Sequence, residues 1–155
     1  MTTRRDFLRT SALISAGLLV APQLFAYDKK YIGLQLYTVR DHMAKDVPGT
    51  LAKVAQLGYN SVEASYSAGK YYGTEPKAFA ELLKQNDLIM PSSHYLLGED
   101  MKGPGTILNG WDKAAEDAAS IGQKYMVCAW LSPKERGSLD HYKKLAEDFN
   151  KAGET

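Results

Sequence analysis

Gln35, Glu63, His94 and Trp130 recur at intervals of about thirty residues, and their side chains could share one polar site. A carboxylate such as Glu63 can take a proton and give it back. A neutral imidazole such as His94 can ligate zinc, manganese or iron, or bond a hydroxyl. The Gln35 amide can bond hydroxyls, and the Trp130 indole can stack on a ring. Each residue also has a purely structural reading. Glu63 could pair with Arg40, Gln35 could be a satisfied core amide, His94 could bond a neighbouring side chain, and Trp130 could pack over a sheet end.

These residues are placed by an alternation of strand-like and helix-like segments. The first strand reads Tyr31–Leu36, with Ile32, Leu34 and Leu36 on one face. A helix follows near Pro48–Leu57, with Val47, Leu51 and Val54 at helical spacing and Gly58 as its stop. The second strand is Asn60–Ala64. Thr74 is expected to cap the next helix, with Glu75 and Pro76 in its first turn and Phe79, Leu82 and Leu83 facing the core. The third strand is Leu88–Ser93. Trp111, Ala114, Ala115 and Ala118 mark a third helix, which Gly122 stops. Lys124–Trp130 is the fourth strand, and Ser138 caps a last helix striped by Tyr142, Leu145 and Phe149.

Four βα units predict a parallel sheet with helices outside it. The two candidates are an open doubly wound sheet and a (β/α)8 TIM barrel represented by four of its units. The junction after the first strand, "LYTVRDHMAKD", lacks the G-x-G-x-x-G of a dinucleotide fold, which favours the half barrel. If Leu34, Val62 and Ala64 face the helices, Gln35 and Glu63 face the lumen. With His94 inward, Met90 and Ser92 are expected inward too, and Met126, Cys128 and Trp130 on the fourth strand. Each strand then brings a polar or aromatic group to the C-terminal rim, where barrel enzymes do their chemistry. Tyr66, Tyr71 and Tyr72, with Gly69 and Gly73, read as an aromatic rim loop. His42 and His141 read as exposed. Thr155 falls where a fifth strand would begin, so the half barrel is expected to be a truncation with two open edges.

Residues 1–26 read as a leader. Arg4 and Arg5, then Phe7 and Leu8, precede the apolar run "SALISAGLLVAPQLFA", which exits at Ala26. The pattern is similar to a twin-arginine signal, an address read by a receptor and not an anchor. It predicts the Tat translocase as a partner, a periplasmic location and no stable membrane anchor after cleavage. The remaining unit is expected over residues 27–155. Removal of residues 1–26 takes away Arg4, Arg5, Arg9 and Asp6, so the formal charge moves from +1 to −1. Cys128 is the single cysteine, which rules out an intrachain disulfide and reads as a small core residue. The balanced charge, with no basic stripe, argues against nucleic acid as partner.

Four stretches, "IGLQLYTVRD", "TLAKVAQLGYNSVEA", "PSSHYLL" and "AAEDAASIGQKYMVCAWL", resemble the sugar phosphate isomerase/epimerase family, whose members have the xylose isomerase-like TIM barrel. The resemblance implies an exported sugar isomerase or epimerase that moves a proton next to a carbonyl. It implies a divalent metal (Mn, Mg, Co or Zn), with His94 as a ligand candidate, Glu63 as a catalytic candidate, and Gln35, Glu63, His94 and Trp130 as substrate contacts for a sugar or sugar derivative. It also implies that most metal-binding and proton-transfer residues lie on strands five to eight, beyond Thr155. Two alternatives stand beside it: a lyase or hydrolase of oxidised (3-keto) glycosides on the same barrel, and a carbohydrate-binding protein without catalysis.

Overall fold

Asp46 starts the first long helix by accepting a hydrogen bond from the Gly49 N–H at 3.0 Å. Pro48 in its first turn has no N–H to leave unpaired. The structure is a computed structural model and describes residues 32–155. The leader expected over residues 1–26 lies outside the described residues. The elements are β1 Gly33–Gln35, a 3-10 turn Leu36–Val39, α1 Arg40–Met43, α2 Val47–Gln56, β2 Ser61–Ser67, β3 Lys70–Tyr71, α3 Pro76–Gln85, β4 Ile89–His94, α4 Trp111–Ile121, β5 Tyr125–Val127, a 3-10 turn Pro133–Glu135, and α5 Leu139–Ala152.

β1, β2, β4 and β5 lie side by side in that order, all parallel. Spatial order follows chain order without the reversal of a doubly wound sheet. α2 touches α3, and α3 touches α4. This is the arrangement of half a TIM barrel. Gly58 and Gly122 follow α2 and α4 at φ +96° and +83°. That left-handed geometry favours glycine and turns the chain back toward the next strand.

The core lies between sheet and helices. Val62, Ala64 and Met90 from the strands meet Leu51, Val54, Phe79, Leu83 and Ala114 from the helices. Phe79 and Leu51 are fully buried, and each such side chain contributes about 1.5–3 kcal/mol by leaving water. Two polar ties run through this layer. Tyr66 donates to Asp117 on α4 at 2.7 Å. Gln123 donates to the Tyr71 hydroxyl at 2.7 Å and accepts from Tyr95 at 3.1 Å.

Several expectations change here. β1 is shorter than Tyr31–Leu36, Leu36 begins the 3-10 turn, and Ile32 is exposed. β2 runs three residues past Ala64 and turns through Ala68 and Gly69, both at positive φ, into β3. Thr74 does not cap α3. Its backbone bridges Tyr71, and Glu75 precedes the helix without a side-chain cap bond. Of the α5 stripe only Leu145 is buried, against Leu97 and Ile107, while Tyr142 and Phe149 stay exposed. Here α5 meets a loop cluster and not a long strand, because β5 ends at Val127. Gly153 closes α5 in ordinary right-handed geometry, unlike Gly58 and Gly122.

Candidate functional site

Residues paired across parallel strands point to the same side of the sheet. The register aligns Gln35 with Glu63 and Glu63 with Ser92. One step toward the C-terminal ends, Ser65 aligns with His94 and His94 with Val127. Val62 and Ala64 are buried on the helix side, so these two layers face the lumen. The lumen wall is therefore polar, and its charged residues sit at the C-terminal rim.

The layers close into a hydrogen-bonded group. His94 Nε2 lies 2.8 Å from Glu63 Oε1. Ser92 Oγ donates to Glu63 Oε2 at 2.5 Å. Gln35 Nε2 lies 3.2 Å from His94 Nδ1. An amide nitrogen only donates, so Nδ1 accepts, and the imidazole proton sits on Nε2 facing Glu63. Glu63 and His94 are 27% and 29% exposed, enough for a solute to reach them. Arg40 is not the partner of Glu63. It stacks over the Tyr37 ring, 4.6 Å from its centroid, and donates to the Tyr37 carbonyl at 3.0 Å.

Above this group opens a cleft of about 630 Å³. Gln35, Ser65 and His94 line it, with Tyr37, Met101 and Trp130 as apolar walls. The structure thus brings Gln35, His94 and Trp130 to one cleft, with Glu63 bonded to His94 beside it. Two larger hollows lie elsewhere. One is at the strand N-termini by Ser61, Lys84 and Ile89, and one is beside β5 by Trp111, Tyr125 and Phe149. Neither gathers a carboxylate and an imidazole, so size does not locate the chemistry.

The lumen parity expected on two strands is corrected. Met90 is in the helix-side core, not the lumen. The register slips between Ser61 and Glu63, a bulge that places one extra residue on β4 at Met90–Pro91. Ser93 Oγ lies 3.7 Å from Met90 Sδ, so positions three apart share the helix side. Met126 aligns with buried Ser93 and follows it to that side. Cys128 lies beyond β5 and packs near Leu97 and Leu145, where burial pushes its thiol up from the ordinary value. Trp130 reaches the cleft from a loop and not from a strand.

The aromatic rim loop is also revised. Tyr66 and Tyr71 are buried in the hairpin core, and burial raises both hydroxyls above the ordinary tyrosine value. Tyr72 sits at φ +50° with its hydroxyl buried and outside hydrogen-bonding geometry to any group among the described residues. Burial raises its pKa, and nearby Ser65 offsets part of that rise. His42 is exposed as expected. His141 is half-buried, with Nε2 2.9 Å from the Glu135 carbonyl and 3.5 Å from Glu99 Oε2.

Tyr37 and Met101 were not singled out by sequence, and Ser92 was read only as facing inward with His94. Ser92 was legible, because it shares lumen parity with His94. Tyr37 and Met101 lie in a 3-10 turn and a loop, where periodicity carries no signal. Glu135 is the other unforeseen residue. Only 2% exposed, its carboxylate accepts from Glu99 and Asp100 N–H at 3.1 Å each and from Ser132 N–H at 2.8 Å. It pins the Met101 loop to the segment following Trp130.

Glu63 and His94 are two donors of types that suit a divalent cation. No group of three or more His, Cys, Asp or Glu able to hold a metal occurs among the described residues. These residues therefore do not form a metal site by themselves.

Two solved structures of sugar phosphate isomerase/epimerases from Parabacteroides distasonis ATCC 8503 are similar to the chain. One is 28% identical, with a TM-score of 0.66, and the match covers 84% of this chain and 48% of that one. The other is 25% identical, with a TM-score of 0.60, covering 78% and 48%. This chain spans about half the length of the structures it matches. No protein-family model matches the chain, and no curated protein does.

Proposed function

We propose that this chain is a member of the sugar phosphate isomerase/epimerase family, the family of the two structures it is similar to, and that it supplies the Gln35–Glu63–His94 part of a site that moves a proton beside a sugar carbonyl. The observation that carries the reading is the Glu63–His94 contact at 2.8 Å on the C-terminal rim, with Gln35 on the other imidazole nitrogen.

In this reading Glu63 takes a proton from the carbon next to the carbonyl. The C–H electron pair moves into a C=C bond, the carbonyl pair moves onto oxygen, and that oxygen takes a proton from solvent water, to which the neighbouring hydroxyl gives one back when the second carbonyl forms. Gln35 and His94 hydrogen-bond the sugar oxygens as this happens. Return of the proton to the neighbouring carbon isomerises the sugar. Return to the other face of the same carbon epimerises it. Trp130 lies along the sugar ring.

A divalent cation belongs to the same proposal; Glu63 would be one ligand, and His94 a second once a ring nitrogen gives up its present bond to Gln35 or Glu63. When bound it would polarise the sugar oxygens. Export through the twin-arginine route, with loss of residues 1–26, is proposed on Arg4, Arg5 and the apolar run. Replacing both arginines with lysine should keep the protein in the cytoplasm.

The test is incorporation of deuterium from D₂O into aldoses and ketoses, followed by proton NMR with and without Mn²⁺. Incorporation that falls at least about a hundredfold in Glu63→Gln fits the general-base role. No exchange with any sugar, or exchange indifferent to Glu63→Gln, overturns it.

A further inference from the structure

Tyr72 occupies a turn that does not suit it. Tyr71 and Thr74 exchange backbone hydrogen bonds of 2.9 Å each. Between them Tyr72 and Gly73 both have positive φ, +50° and +78°. Two-residue turns of this form favour Asn-Gly, because bulky L residues resist positive φ.

Packing does not account for the tyrosine either. Its ring lies against the core of sheet and helices, a role phenylalanine would fill as well. The hydroxyl adds a cost, since it is buried with no hydrogen-bond partner in good geometry among the described residues. This chain alone already shuts that hydroxyl off from solvent, so no segment laid over the open side of the lumen reaches it. Its partner must come from its own surroundings.

Those surroundings are the candidate site. Ser65, Glu63 and Tyr37 all act on the Tyr72 hydroxyl, and Ser65 is near enough to influence it as a hydrogen-bonding group. Ser65 is also the register partner of His94 and lines the same cleft. Paired strands lie about 4.8 Å apart, so the Ser65 hydroxyl and the His94 ring can reach neighbouring oxygens of one ligand. A serine hydroxyl has one proton to give and rotates freely. With Tyr72 donating to Ser65 Oγ, that proton is left to point into the cleft. Backbone strain and unmet bonds concentrate at ligand sites, where binding can relieve them.

We propose that Tyr72 is a positioning residue: when a sugar enters, its hydroxyl donates to Ser65 Oγ, and Ser65 donates to the carbonyl oxygen that gathers negative charge as Glu63 takes the proton. No proton changes owner along these two bonds. They hold the oxygen while its electron pair arrives, and each strengthens the other. This deepens the proton-transfer reading above and rests on it.

Deuterium exchange from D₂O into D-fructose, D-tagatose or D-glucose, with Mn²⁺ and the full chain, tests it on whichever sugar the wild-type protein labels. Tyr72→Phe should keep its urea unfolding midpoint and lose about tenfold in kcat, with KM changed by less than about twofold. Ser65→Ala should lose about a hundredfold in kcat. Adding Tyr72→Phe to it should cost nothing further, because Tyr72 acts only through Ser65. Exchange unaffected by either variant, a loss in KM and not in kcat, a kcat loss matched by a fallen midpoint, or a Tyr72→Phe loss that multiplies that of Ser65→Ala overturns the positioning role. Exchange that still depends on Glu63 in those cases leaves the proton-transfer reading standing. No exchange by the wild-type protein, or exchange indifferent to Glu63→Gln, overturns both.

Discussion

His94 Nε2 meets Glu63 Oε1 at 2.8 Å across the parallel pair β2–β4, although the two residues are not register partners. His94 is aligned with Ser65, and Glu63 with Ser92. The contact runs diagonally between layers, within reach of long side chains on one face. Such a pair depends on the whole register. A one-residue slip of β4 would send His94 into the helix-side core.

The contact should be measurable as coupling. A double-mutant cycle of Glu63→Gln and His94→Gln, read by urea unfolding, should give a coupling energy of about 1 kcal/mol. The partial exposure of both groups keeps the value modest. Additive single effects would show that the contact holds no energy.

Tyr72 and Tyr66 should respond oppositely to loss of their hydroxyls. Tyr72→Phe removes a buried hydroxyl that has no hydrogen-bond partner in good geometry among the described residues, so stability should stay level or rise. Tyr66→Phe strips a donor from Asp117 and should cost about 1–3 kcal/mol. Chemical denaturation of both variants checks the contrast. A Tyr72→Phe loss as large as that of Tyr66→Phe would contradict the assignment.

Glu135 should matter more than its place at the end of a short 3-10 turn suggests. Glu135→Ala leaves three backbone N–H groups without their acceptor and should cost roughly 2–4 kcal/mol. Hydrogen exchange should quicken at the Glu99, Asp100 and Ser132 amides and remain unchanged in β2. Protection retained at all three would contradict the pinning.

High pH should unfold the chain through its buried tyrosines. Burial raises Tyr66, Tyr71, Tyr72 and Tyr95 above the ordinary value of 10.0. Up to that value both folded and unfolded chains keep the phenols protonated, and stability is unaffected. Above pH 10 the unfolded chain loses these protons while the folded chain keeps them, so stability falls as pH rises. Melting temperature should drop steeply above pH 10, and phenolate absorbance should appear together with unfolding. Phenolate that forms while the fold stays intact would contradict burial of this cluster.

Much of this architecture was legible because helix and strand periods differ so clearly. The α2, α3 and α4 stripes and the β1–β2 parity follow from apolar spacing, and with them the lumen side of Gln35 and Glu63. Parity failed on β4, where the bulge at Met90–Pro91 moved Met90 out of the lumen. A proline within a strand is a known sign of such a break. It also failed past Val127, since alternation has no meaning once the ladder ends. Tyr37, Met101 and Glu135 belong to turns and loops whose paths depend on tertiary contacts, so no spacing rule could reach them.

The central claim is that the Glu63–His94–Gln35 group on the barrel rim is where a sugar meets this chain. The chain has three histidines, and long-range ¹H–¹⁵N NMR of the imidazoles can follow each one. His94 should appear as the neutral tautomer with its proton on Nε2. Its ring signals should move when a sugar is added, while those of His42 and His141 stay still. A sugar that binds without moving His94, or a His94 proton found on Nδ1, would contradict the account.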